Sequence, residues 1–251
     1  MRRTSDLSRR SAALLLLAAP WGLRAAAAPP AGDAAAAALL ARVDAVSRVP
    51  DAHLVLDVKV TDARGDTSTR VIEIWQQGDA RRLVKMVEPA RLRGVGLLVN
   101  GDDIHLFLPA YPPARRVTGS GKADAFLGTD FAVEDLARTA WAPGHVARTE
   151  PVSPSGDRAL RLTPTGGGPD ILLTVGDDDV IRSATHFDAG GAPRRRIVFS
   201  DVRAVHGVLL AHRMLVEDLR ARRRTEASLR SAAVGQGVDP SRFTLASLES
   251  P

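Results

Sequence analysis

From residue 53 onward the chain alternates apolar and polar positions. Leu54, Leu56, Val58 and Val60 interleave with Val55, Asp57 and Lys59, the period of two expected of a half-buried strand. Residues 70–77 repeat the pattern, with Ile72 and Ile74 on one side and Val71, Glu73 and Trp75 on the other. Strands are predicted also over residues 82–88, 95–99 and 104–108, the last two joined by the hairpin signal Asn100-Gly101-Asp102-Asp103. A second series follows over residues 145–152, 158–163, 171–175, 180–187, 195–202 and 208–219. Residues 222–234 read both ways: their intrinsic preference is helical, while hairpin succession favours a strand. Short strands at regular intervals with turns between them predict a mainly β (α+β) fold built on antiparallel pairing, not βαβ units.

Two stretches break the alternation. Residues 33–48 are alanine-rich with Leu39, Leu40, Val43 and Val46 on one side and Pro50 as a stop, which predicts a helix whose first alanines fray to about Ala36. The other is FLGTDFAVEDL, residues 126–136. Asp130 is the expected N-cap, with Glu134 and Asp135 in the first turn where the helix dipole favours negative charge. Val133, Leu136, Ala137, Ala140 and Trp141 fall on one face, Glu134 and Arg138 stand at i,i+4, and Pro143-Gly144 end the run. A lone amphipathic helix of about three turns among strands has to lie on a sheet with apolar groups beneath it.

The segments VEPARLRGVGLLV, IHLFLPAYPPARRV and FLGTDFAVEDL, followed by FDAGGAPRRRIVFSDV, HGVLLAHRMLVEDL and SRFTLASLE, occur in the order and spacing of the LolA-like, outer-membrane lipoprotein-sorting family, which this chain resembles over residues 40–249. Thr129 and Leu127 stand where that family often has Ser and Met. The resemblance implies a curved, incompletely closed antiparallel half-barrel of about 10–11 strands, with helices covering an apolar cavity that takes acyl chains. It also favours a strand over residues 222–234.

The N-terminus has the organisation of a signal peptide. Arg2, Arg3, Arg9 and Arg10 form a basic region, residues 12–19 an apolar core too short for a permanent span, and residues 25–28 small-residue cleavage sites. Residues 1–28 are therefore expected to be cleaved, leaving one domain over residues 29–251. Sec export is favoured over the twin-arginine route, because alanines replace the bulky apolar residue usual after the Arg pair. There is no cysteine, which excludes a lipid-anchored N-terminal Cys, disulfides and thiol chemistry. Loss of the leader lowers the formal charge from +5 to +1, so the basic balance carries no nucleic-acid reading, and 4% aromatics argue against a base-stacking platform.

Catalytic patterns are not met. Ser120 lies in Gly119-Ser120-Gly121 without the frame of a nucleophile elbow. Gly121-Lys122 is followed by Ala123 where a phosphate loop needs a hydroxyl. Asp177-Asp178-Asp179 lacks calcium-loop spacing and reads as a solvated turn. The six histidines never take a metal-binding helical spacing, so no metal and no cofactor are expected. Glu134 and Asp135 are adjacent and point about 100° apart on a helix, unlike an acid/base pair. The triplets Arg194-Arg195-Arg196 and Arg222-Arg223-Arg224 read as solvated faces.

What remains is apolar surface. With the resemblance, Leu54, Leu56, Ile72, Ile74, Leu97, Phe107, Phe126, Phe131, Leu136, Trp141, Phe187 and Met214 are the expected lining of an acyl cavity and its lid. The resemblance implies a non-enzymatic periplasmic carrier of lipid or lipoprotein acyl chains. It would touch membranes transiently between an inner-membrane transporter and an outer-membrane acceptor. The alternative is a sensor or accessory domain of the same fold binding a protein, with Arg115 and Arg116 as contact residues.

Overall fold

The computed structural model describes residues 33–250. The alternating segments form thirteen strands. These are β1 (Asp51–Thr61), β2 (Thr67–Gln77), β3 (Arg81–Glu88), β4 (Gly96–Asn100), β5 (Asp103–Phe107), β6 (Arg115–Arg116), β7 (His145–Glu150), β8 (Arg158–Pro164), β9 (Ile171–Val175), β10 (Ile181–Phe187), β11 (Pro193–Val205), β12 (Val208–Asp218) and β13 (Arg223–Val234). All belong to one antiparallel sheet in the order β6-β5-β4-β3-β2-β1-β13-β12-β11-β10-β9-β8-β7. The count exceeds the expected 10–11. One addition is β6, whose two residues pair with His105 and Leu106 and are too few to show any period. Residues 222–234 are resolved as strand, because both β1 and β12 pair with them.

The sheet does not close. Its edges are β6 and β7, which are consecutive in the chain, so residues 117–144 cross from one edge to the other over the open side of the half-barrel. The main core lies under this crossing segment. Leu56, Val58, Ile72, Val84, Met86, Leu97, Leu160 and Leu173 rise from the sheet and meet Phe126, Phe131, Val133 and Trp141. A helix α1 (Ala34–Val46) adds Ala36, Leu39, Leu40 and Val43 to the same core. It does not fray to Ala36: the Asp33 carboxylate caps the Ala36 amide and also accepts the Thr149 amide of β7 at 2.7 Å, tying the helix start to an edge strand.

The opposite face carries a smaller core. Trp75, Leu83, Leu98 and Phe107 are covered by the C-terminal segment through Val238, Phe243 and Leu248, the last on α3 (Leu245–Glu249). Phe107 was expected in the cavity, but the pleat puts it elsewhere. Leu97 pairs with Leu106 and faces the main core, so Phe107, one residue on, shares the outer face with Leu98.

The helix of the crossing segment, α2, is only Val133–Ala137, shorter than the expected three turns. Asp130 does not cap it. The capping residue is Ala132, whose amide is bonded back by the Asp135 carboxylate at 2.8 Å. Asp130 is drawn away by β13: its carboxylate, 1% exposed, meets Arg223 at 2.8 Å and the Thr225 hydroxyl at 2.8 Å. Thr225 also accepts the Asp130 amide at 2.9 Å. Removing a buried carboxylate strands its cation and hydroxyl, although Arg223, 32% exposed, regains some water. Asp130→Ala should therefore lower unfolding free energy by roughly 3 kcal/mol in urea titrations, against less than about 0.5 kcal/mol for Arg224→Ala on the exposed side of β13.

Candidate functional site

A cavity of about 290 Å³ lies between the crossing segment and the inner face of the sheet. Its walls come from Leu54 and Leu56 of β1, Ile74 of β2, Phe131, Leu136 and Trp141 of the crossing segment, and Ile197, Phe199, Leu210, Met214 and Leu229 of β11 to β13. Seven of the expected lining residues meet here: Leu54, Leu56, Ile74, Phe131, Leu136, Trp141 and Met214. The others do not line it. Ile72, Leu97 and Phe126 are all but fully buried in packed core, Phe107 is on the outer face, and Phe187 faces a separate recess beneath Arg161. Arg115 and Arg116 sit exposed on edge strand β6, with Arg116 paired to Asp103.

One end of the cavity is polar, and no pattern in the sequence marked it. Arg82, from β3, is half-buried and borders the cavity. Its guanidinium donates to the carbonyls of Leu136 at 2.8 Å and Arg138 at 2.9 Å, and to the Gln76 side chain. Gln76 is fixed in turn by donating to the Val49 carbonyl at 3.0 Å. Burial pushes the Arg82 guanidinium down to about 10, and no carboxylate pairs with it among the described residues. Arg138, beside it, lies over the Trp141 ring at 4.4 Å. The following amides, Trp141 and Ala142, both donate to Asp44 of α1 at 2.8 Å.

Across α2 lies a wider, polar recess of about 750 Å³ bordered by Lys122, Glu134, His145, His186, Arg194 and Arg195. Here Arg195 meets Asp135 at 2.9 Å and Glu134 at 3.8 Å. Glu134 thus faces Arg195 in place of the expected Arg138. The middle residue of each arginine triplet, Arg195 and Arg223, turns inward to a carboxylate of the crossing segment. Their neighbours are solvated, Arg194, Arg196 and Arg224 on strands and Arg222 in the turn before β13.

Glu134, Asp135 and His186 bring three ligand atoms within 4.8 Å of one another, a spacing that a metal could use. The surroundings do not suit a cation. The Asp135 oxygens are held by Arg195 and the Ala132 amide. Burial, then the charges of Arg195 and Arg138, hold His186 down to about 2, and those two guanidiniums would face any cation placed between these ligand atoms. His186 accordingly stays neutral beside Asp135 at 3.6 Å, a contact too long for a hydrogen bond. Burial itself pushes the Asp135 carboxyl up, opposed by Arg195.

Asp177 to Asp179 form the β9–β10 turn, with Asp179 joining Arg42 at 3.0 Å and Arg158 at 2.9 Å. No described helix is long and apolar enough to cross a membrane. The cleavage region and leader lie outside the described residues.

The depressed His186 sets a pH dependence. Below about pH 6.5 the unfolded chain takes up a proton that the folded protein refuses. Stability is therefore lost as pH falls from 6.5 toward the folded value of about 2. Between pH 7 and 5 this one group accounts for about 2 kcal/mol at most. Urea titrations at both pH values should show a smaller loss for His186→Leu than for the wild type.

Comparison with known proteins gives the family and the fold. No curated protein matches the sequence. A domain from Vibrio parahaemolyticus named for outer membrane lipoprotein sorting superposes with a TM-score of 0.76 at 19% identity, covering 86% of this chain and 99% of that one. A DUF1329 family protein from Desulfovibrio piger gives 0.78 at 21% identity over 87% and 100% of the two chains. A LolA superfamily protein from Nitrosomonas europaea gives 0.69 at 18% identity over 83% and 97%. Residues 78–250 match the sequence profile of a family described as “-like: Uncharacterized protein”. The chain belongs to that family, and its open half-barrel is the LolA-like fold.

Proposed function

We propose that the protein carries acyl chains of a lipid or lipoprotein in the cavity beneath the crossing segment. The observation that carries this reading is the cavity itself. It is apolar over most of its wall and roofed by Phe131, Leu136 and Trp141. Each buried CH₂ is worth about 0.8 kcal/mol, so such a wall gains affinity along a hydrocarbon chain without a set of stereospecific polar contacts. The LolA-like fold supports the same reading.

The setting follows from the leader. Export with cleavage within residues 1–28 leaves one domain in the periplasm, where a carrier takes cargo from an inner-membrane transporter and yields it to an outer-membrane acceptor. Loading and release require the crossing segment to lift. Arg82 opposes that motion by holding the Leu136 and Arg138 carbonyls, and Asp44 holds the next amides. Glycines before the helix, with Gly128 at φ +70°, and Pro143-Gly144 after it let the flanks absorb backbone change. Breaking these bonds frees the C-terminal part of the roof, while Asp130 and Asp135 still tie its start to β13 and β11.

Met214 borders the cavity from the inner face of β12 and is partly open. Met214→Trp should fill the space and lower binding of a fluorescent fatty acid at least tenfold, with a thermal midpoint near that of the wild type. Undiminished binding in the filled variant would place the acyl chain elsewhere.

A further inference from the structure

The cavity has one feature that a neutral acyl chain leaves unexplained. Arg82 brings a full positive charge to its polar end, and the guanidinium bonds only to neutral groups, the Leu136 and Arg138 carbonyls and Gln76. A charge held among protein atoms is costly unless an opposite charge or a full set of hydrogen bonds meets it. Neither is complete here, because the Arg82 Nε is buried without a partner. The adjoining carboxylates are committed: Asp135 borders the same cavity but is bound by Arg195 at 2.9 Å, and Glu134 lies 3.8 Å from Arg195. Arg138 also borders the cavity, and its Nε is likewise buried without a partner. Glu134, Asp135 and Asp44 of α1 all lie near Arg138, whereas Arg82 bonds to no carboxylate among the described residues and is the cation left without a counter-charge.

A ligand can supply the missing partner. A cationic head would add to the repulsion, and an ester or alcohol would leave the charge unmatched. The volume decides how much tail comes with the head. At about 290 Å³ the cavity is at the small end of ligand pockets, which run from about 300 to 1,000 Å³, and suits one chain. We propose that the occupant is a single-chain amphiphile with an anionic head, a carboxylate or a phosphate. Its head docks at Arg82 and Arg138, and its tail runs along Leu54, Ile74 and Met214. This assignment rests on the acyl-carrier reading and narrows its ligand class.

Calorimetric titration of the wild-type protein with four twelve-carbon ligands below their micelle concentrations tests it. The ligands are laurate, dodecyl phosphate, 1-dodecanol and dodecyltrimethylammonium. At least one anion should bind roughly ten- to a hundredfold more tightly than dodecanol, the range expected of hydrogen bonds to a charged group. The ammonium should bind least. Laurate and phosphate alike would mean that any anionic head serves, whereas phosphate alone would name the head. In Arg82→Gln the preference should fall to about twofold, and in Arg138→Gln it should shrink. A looser roof would alter all four affinities together, so the anion-to-alcohol ratio separates head recognition from the hold of Arg82 on the crossing segment. Equal binding of dodecanol and both anions by the wild type would overturn the head assignment and leave the acyl cavity standing. Binding of none of the four would overturn both. An anion preference that survives both substitutions would also refute the assignment to these arginines.

Discussion

The structure depends on a single topological constraint. A sheet in which the first and last strands pair in the middle leaves the chain's central strands, β6 and β7, at its two edges. The chain must then span the open side of the curl between them. Residues 117–144 therefore cover the concave face because the strand order gives them no other route. The twist of a large antiparallel sheet supplies the concavity, and the crossing segment supplies the roof. A cavity between the two follows wherever the inward side chains fail to meet.

Apolar packing alone would leave that roof free to slide, since hydrophobic contact is non-directional. Polar ties fix its position. Asp130 reaches β13, Asp135 reaches β11, the Leu136 and Arg138 carbonyls are held from β3, and the Trp141 and Ala142 amides are held from α1. Two ties come from β13 and β11 in one half of the sheet and one from β3 in the other, so the segment is clamped from both halves. The same polar demand brings charges into an otherwise apolar region. All four charges gathered around α2, those of Glu134, Asp135, Arg138 and Arg195, lie partly or wholly out of water, and Arg82 adds a cation without a carboxylate.

Much of this was legible in the sequence because strands announce themselves locally. Alternation at Leu54, Leu56, Val58 and Val60 is enough to place β1 and its inner face, and the same holds for Ile72 and Ile74. The same arithmetic places Phe107, whose aromatic ring alone suggests the cavity, on the outer face with Leu98. Core and cavity wall are another matter. Ile72, Leu97 and Phe126 have the same chemistry and periodicity as Leu54 and Ile74, and only the shape of the assembled roof decides which of them face a void. The polar ties were the least legible. Asp130 reads as a helix cap until a partner 95 residues away, Thr225, claims it. Arg195 and Arg223 each sit in a run of three arginines, where only the local backbone, pleated at Arg195 and leaving a turn at Arg223, makes the middle one different. Arg82 bonds to backbone carbonyls, which leave no mark in a sequence.

The two described tryptophans allow the central claim to be tested directly, because they stand on opposite faces of the sheet. Trp141 borders the cavity, while Trp75 belongs to the outer core under the C-terminal segment. A bromine-labelled fatty acid quenches indole fluorescence only at short range. Titrated into the wild-type protein and into Trp75→Phe, it should quench saturably in both, whereas Trp141→Phe should lose the saturable quenching. Quenching that persists in Trp141→Phe and disappears in Trp75→Phe would put the acyl chain on the outer face and contradict the account.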